Sequence, residues 1–169
     1  CIRDRDNSVY KSEYVQKLNK KLYKSNIINN KKNKFLIVRE QGIGDEILYS
    51  SMYGELLEDI KNTVIECDPR LLNLFKRSFP KYKTKFVSLG TSTNNEEEFK
   101  KIDNIIYAGS LGRYYRKNIK DFKYNSFLKV DEKKLGEMKK KLSIYKQKYK
   151  IGLSWKSFSD KFAEDKSLS

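Results

Sequence analysis

Four consecutive apolar residues, Phe35 to Val38, lead through Arg39-Glu40-Gln41 into Gly42-Ile43-Gly44-Asp45, and a helix-forming sequence follows at once. A continuous apolar run this short, bounded by glycines, reads as a strand buried on both faces. Two glycines let the backbone turn tightly and let another molecule come close to the main chain. This segment therefore predicts a strand–turn–helix unit, the building block of open α/β sheets, which bind ligands outside the carboxyl ends of their strands. The free amides of the helix start would form an anion site. The spacing is not the dinucleotide fingerprint G-x-G-x-x-G, because Ile47 stands where the third glycine belongs.

The rest of the chain repeats the pattern. Apolar runs at 63–67, 84–89, 104–108 and 151–155 read as further strands. Pro69 opens a helix to about Ser78, a short aromatic and basic helix follows Gly109-Ser110, and residues 131–148 form a helix with Leu135, Met138, Leu142 and Tyr145 along one face. Residues 90–98 read as a polar loop and 119–130 as irregular chain, and 9–25 have helical spacing ahead of a polar linker at 26–33. The expected fold class is α/β, a Rossmann-like parallel sheet with flanking helices. The expected domains are 1–33, an N-terminal helix and linker; 34–130, the Rossmann-like domain; and 131–169, a linking helix and the start of a second unit. Both ends read as cuts through a longer protein.

Absent residues restrict the chemistry. The chain has no histidine, which removes Ser-His-Asp and Cys-His catalysis and every histidine-ligated metal. Acid–base work falls to Asp, Glu, Lys, Tyr or Cys. Two cysteines, Cys1 and Cys67, suggest neither a disulfide framework nor a zinc site. The net charge is +15. It reads either as the composition of a Lys-, Asn- and Ile-rich chain or as attraction to phosphorylated molecules and anionic membrane. No RNA-binding motif accompanies it, so no specific nucleic acid is expected. With no leader pattern and no apolar stretch of membrane-spanning length, the expected location is the cytoplasm, or the inner face of the membrane if the charge acts there.

Within the glycine turn, Asp45 supports two readings, a helix N-cap or a general base at the mouth of a cleft. Glu40 and Glu46 read as solvated or structural neighbours. Arg113, Tyr114, Tyr115 and Arg116 suit either packing onto the sheet or stacking on a ligand, and Cys67 suits a small buried side chain.

REQGIGDEILYSSMYGELLED together with VIECDPRLLNLFKRSFP resembles the EQGLGD-type glycosyltransferase-like domain. That domain follows tetratricopeptide repeats in many bacteria and is related to the ADP-heptose–lipopolysaccharide heptosyltransferases. DNIIYAGSLGRYYR and YKIGLSWKSFSDKFAEDKSLS extend the likeness over about 34–169. The resemblance implies the N-terminal, acceptor-side half of a two-domain GT-B enzyme plus the first strand of the donor-side half. It implies a nucleotide-sugar donor as co-substrate, a glycan or lipid-linked acceptor, and no metal or other cofactor. By this likeness Asp45 is the base, Gln41, Gly42, Gly44 and Ser110 shape the acceptor side, and Ser154, Lys156 and Lys166 face the donor diphosphate. Lys166-Ser167 stands where relatives often carry Arg-Ser, so the bidentate geometry of an arginine is missing there. A chain with so little of the donor half is expected to be inactive alone. The alternative is a non-catalytic glycan- or nucleotide-binding module of the same fold.

Overall fold

The computed structural model describes residues 32–39, 42–92, 94–123 and 125–145, with Leu18, Lys21, Leu22, Tyr149 and Ile151. They fall into two compact units divided after Asp131.

The first unit is α/β, as the apolar runs require. Its strands are β1 (Phe35–Val38), β2 (Thr63–Cys67), β3 (Phe86–Ser88) and β4 (Asn104–Tyr107). They form one parallel sheet in the order β3-β2-β1-β4. In β1 all four residues are buried because the strand is central and both faces are covered. Phe35 and Ile37 join the larger core with Ile65, Cys67, Phe86 and Ile106, while Leu36 and Val38 join a smaller one with Leu18, Phe99, Ile102 and Ile105. This is the period-two alternation of a strand, expressed as two separate apolar layers.

After β1 the chain is helical over α1 (Ile43–Tyr49), a 3-10 turn (Ser50–Met52) and α2 (Tyr53–Asp59). The helix expected to follow Gly42-Ile43-Gly44-Asp45 thus starts within that turn, at Ile43. It tightens at Ser50, whose hydroxyl donates to the Ile47 carbonyl at 2.7 Å. α3 (Pro69–Ser78) has Pro at its first position and Asp68 as N-cap, the arrangement predicted by a helix opening on proline. Tyr53, Phe75, Phe79 and Phe86 form an aromatic cluster with ring centroids 5.5 to 6.4 Å apart, fixing the helices to the sheet.

Two local expectations are corrected. The stretch expected as a loop over 90–98 ends in a short helix, α4 (Glu96–Lys100). Asn95 caps it, its carbonyl oxygen accepting from the amides of Glu97 and Glu98 at 3.1 and 3.2 Å, and three glutamates lie in the first turn, where the helix dipole favours them. The helix expected through residue 25 has stopped by Leu22, which makes a parallel bridge to Ile105. The Ile105 amide donates to the Lys21 carbonyl at 2.8 Å, and the Lys21 ammonium donates to the carbonyls of Phe99 and Ile102 at 2.8 and 2.6 Å. The chain ahead of β1 is therefore bound to the outer side of β4 at these residues.

β4 runs into a 3-10 turn (Ala108–Leu111) and α5 (Gly112–Tyr115). The second unit contains α6 (Glu132–Leu142) and a 3-10 turn (Ser143–Tyr145), within the helix expected over 131–148, of which 146–148 lie outside the described residues. Apart from Ile151, the expected fifth strand at 151–155 lies outside the described residues.

Candidate functional site

The strand order locates the site. From β1 the chain moves outward to β2 and β3, then returns to lay β4 on the other side of β1. The turns leaving β1 and β4 consequently diverge, and such a switch point is where parallel sheets open a crevice. The turn after β1 carries Gly42, Gly44 and Asp45; the turn after β4 carries Ser110, half-buried in its 3-10 turn. α1 packs against that turn. The fold thus brings these four sequence-indicated residues to one end of the sheet. Gln41 and the donor-side residues Ser154, Lys156 and Lys166 lie outside the described residues, as do Glu40 and Trp155.

The cap reading of Asp45 is not what the turn adopts. Gly42 is the N-cap and offers no side chain, while Asp45 lies in the first turn, exposed. Among the described residues its carboxylate makes no hydrogen bond or ion pair. It folds back over Gly42: a Cβ added there would lie 3.0 Å from Asp45 Oδ2. Gly42 has an extended backbone, φ −98° and ψ 145°, so its smallness serves this close approach rather than an unusual torsion. Gly44 differs, since a Cβ there would meet nothing within 4 Å. The chain's own packing does not call for a glycine at that position. Two acidic residues, Asp45 and Glu46, occupy the first turn, so the helix start expected to hold an anion already carries its own negative charge.

Glu46 is fully buried, which makes it structural rather than solvated. One carboxylate oxygen accepts from the Asp68 amide at 2.8 Å, and the other pairs with Arg39 Nε at 2.8 Å. Arg39 Nη1 reaches Asp68 Oδ2 at 2.9 Å. Asp68 also receives the Nε and Nη2 of Arg70, at 2.9 and 3.0 Å, and the Arg70 amide at 2.9 Å. Two arginines and two carboxylates therefore tie the ends of β1 and β2 to the helix that carries Asp45. Arg39, Asp68 and Arg70 are the residues that sequence reasoning passed over. The available signal was a cation at the end of one strand and an Asp-Pro-Arg at the end of its parallel neighbour.

The network splits the acidities of its carboxyls. The Arg70 side chain, hydrogen-bonded to Asp68, holds that carboxyl well below its ordinary value of 3.8; desolvation opposes this, and Arg39 assists. Burial pushes Glu46 above its ordinary 4.5, against the pull of the Asp68 amide and Arg39. The stability contributed by ionised Asp68 is present above the ordinary aspartate value and lost as pH falls through the lower folded-state value. Glu46 acts oppositely: its ionisation opposes folding, and that cost is relieved as pH falls through its raised value. Asp68→Asn should therefore flatten the loss of stability below about pH 4. An acid titration followed by circular dichroism checks this, and an unchanged acid limb would remove Asp68 from the account.

Elsewhere, a cavity of about 280 Å³ lies beside α2, lined also by Phe79, Arg116, Phe122, Lys123 and Phe127; none of Asp45, Gly42, Gly44 and Ser110 lines it. Three of its charges are paired: Arg116 pairs with Glu55 at 2.8 Å and donates to the Ser51 carbonyl at 3.1 Å, and Lys123 pairs with Glu55 at 3.1 Å. Tyr115 is buried in the larger core and Tyr114 packs against it, so these aromatics hold α5 to the sheet. Cys67 is buried and free, and burial pushes its thiol up to about 12, which suits a packing role. Among the described residues there is no cluster of acidic or cysteine side chains able to hold a metal ion, and no helix is long and apolar enough to cross a membrane.

No family model matches the chain, and no solved structure matches it. It is similar to Protein FlbA of Caulobacter vibrioides, with 27% identity over 135 residues, covering 73% of this chain. The chain spans 23% of the length of that protein.

Proposed function

We propose that this chain is the acceptor-side part of a GT-B type sugar transferase that moves a sugar from a nucleotide-sugar to a glycan or lipid-linked acceptor. The observation that carries the reading is an exposed carboxylate, Asp45, laid over a glycine turn at the switch point of a parallel sheet. Beside it stands Gly44, whose missing side chain leaves open space. A general base must be able to reach the hydroxyl that it deprotonates. In the proposed step the acceptor hydroxyl attacks the anomeric carbon, its proton passes to Asp45, and the nucleoside diphosphate leaves with the bonding pair. Ser154, Lys156 and Lys166 would offset the charge growing on that diphosphate. Work in the cytoplasm, at the inner face of the membrane for a lipid-linked acceptor, belongs to the same reading.

The test uses the complete protein and Gly44→Ala. The complete protein should bind a nucleoside diphosphate and release it from an activated sugar. Gly44→Ala should fold as well as the parent, or better by up to about 1 kcal/mol, because alanine suits a helix. It should nonetheless lower transfer by filling space meant for the acceptor. A complete protein that binds no nucleoside diphosphate would instead favour a non-catalytic binding module.

A further inference from the structure

Arg70 combines two properties that seldom occur together. Its side chain is 72% exposed, yet its Nε and Nη2 are both fixed on Asp68, at 2.9 and 3.0 Å. Asp68 is itself buried and held by Arg39, which is held by Glu46. An exposed ion pair adds little to stability, and immobilising a long side chain costs rotamer entropy. Asp68 already caps α3 and pairs with Arg39 without it. What the arrangement does produce is an arginine with a preset orientation at the carboxyl ends of the strands, one strand over from the Asp45 turn. Its Nη1 has no partner among the described residues. A planar guanidinium whose inner edge is occupied offers its outer edge to a second oxyanion.

We propose that Arg70 binds an oxyanion, a phosphate or a carboxylate, carried by the molecule that enters beside Asp45. The assignment of that molecule as the acceptor rests on the transferase reading; the anion site itself does not. Within the network Arg39 and Arg70 balance Glu46 and Asp68, and Asp45 in the neighbouring turn adds a negative charge, so affinity comes from directed hydrogen bonds. An isolated small anion should bind with a Kd on the order of millimolar.

The probes are inorganic phosphate and acetate, titrated into the 169-residue chain at constant ionic strength with sodium chloride as reference. The readouts are the Arg70 Nε–H resonance and the backbone amides of residues 68–71. In the wild type these signals should shift saturably with at least one oxyanion, and the stronger of the two identifies phosphate or carboxylate as the recognised group. Arg70→Gln should weaken binding by about tenfold or more with the rest of the spectrum unchanged. Arg70→Lys should also weaken it, since a lysine keeps the charge but loses the fork. Shifts that follow chloride, or that persist in Arg70→Gln, would overturn the proposal in favour of general attraction to a chain of net charge +15. Changes spreading to Arg39 and Glu46, or failure of both variants to fold, would overturn it by making Arg70 a brace for Asp68. Oxyanion binding at Arg70 in a protein that binds no nucleoside diphosphate would leave this site standing while the transferase reading falls.

Discussion

Asp45→Asn, introduced into the complete protein, is expected to reduce sugar transfer by about 10²–10⁴-fold, the usual contribution of a positioned general base. The substitution keeps the side chain's shape and one acceptor oxygen while removing the basic site. Little else should change. Asp45 is exposed and makes no hydrogen bond or ion pair among the described residues, so the lost interaction of a first-turn carboxylate with the helix dipole should cost less than about 1 kcal/mol. Nucleoside-diphosphate affinity should also hold, because the residues proposed to face the donor lie far along the chain, at Ser154, Lys156 and Lys166. The decisive comparison sets single-turnover transfer rates against the thermal midpoint and the nucleotide Kd of the same variant. A variant that transfers at the parental rate would leave Asp45 as a helix-start charge and nothing more.

Glu46→Ala should be costly in a different way. The side chain is fully buried, accepts from the Asp68 amide and forms an ion pair with Arg39 Nε. Its removal leaves the buried Asp68 amide without its acceptor and takes from Arg39 one of the two carboxylates that hold it, the other being Asp68. Breaking one side of a buried pair typically costs about 3–5 kcal/mol. Glu46→Gln should cost less, since the amide oxygen can still accept from Asp68, but its NH₂ would then face the Arg39 donor. Urea unfolding of the parent and both variants measures the difference. A Glu46→Ala loss below about 1 kcal/mol would mean that water replaces the carboxylate and that the network does not fix the turn. With the expected loss, the adjacent pair Asp45 and Glu46 separates cleanly, one variant losing chemistry and the other losing stability.

What the sequence revealed follows how local each cause is. β1 and β2 were legible because a short apolar run buried on both faces is a property of the run itself. The start of α3 was legible because Pro69 suits only the first turn of a helix. α4 was missed, since Asn94-Asn95-Glu96-Glu97-Glu98 reads as a solvated loop until Asn95 is seen capping the amides that follow. The site divided along the same line. Gly42, Gly44 and Asp45 announce themselves in a single turn, and Ser110 joins them through strand order. Glu46 looks like one more polar residue on a helix; what buries it are Arg39 and Asp68, brought from the ends of two neighbouring strands. A non-local cause of this kind leaves no period in the sequence. Of the two readings open to Asp45, the cap is the more local, and it does not hold because Gly42 takes the cap position three residues earlier.

The short bridge between Leu22 and Ile105 has a further consequence. Without it, β4 would end the sheet with Ile105 and Ile106 beside an unsatisfied row of amides and carbonyls, a template for pairing with another copy. Leu22 occupies part of that row, the Lys21 carbonyl takes the Ile105 amide, and the Lys21 ammonium fastens the segment to the carbonyls at the end of α4. The opposite border needs less, since β3 has only three residues. Lys21 and Leu22 thus act as a guard against self-association, and a shortened version of the chain beginning at Lys32 would expose the part of the edge that they cover.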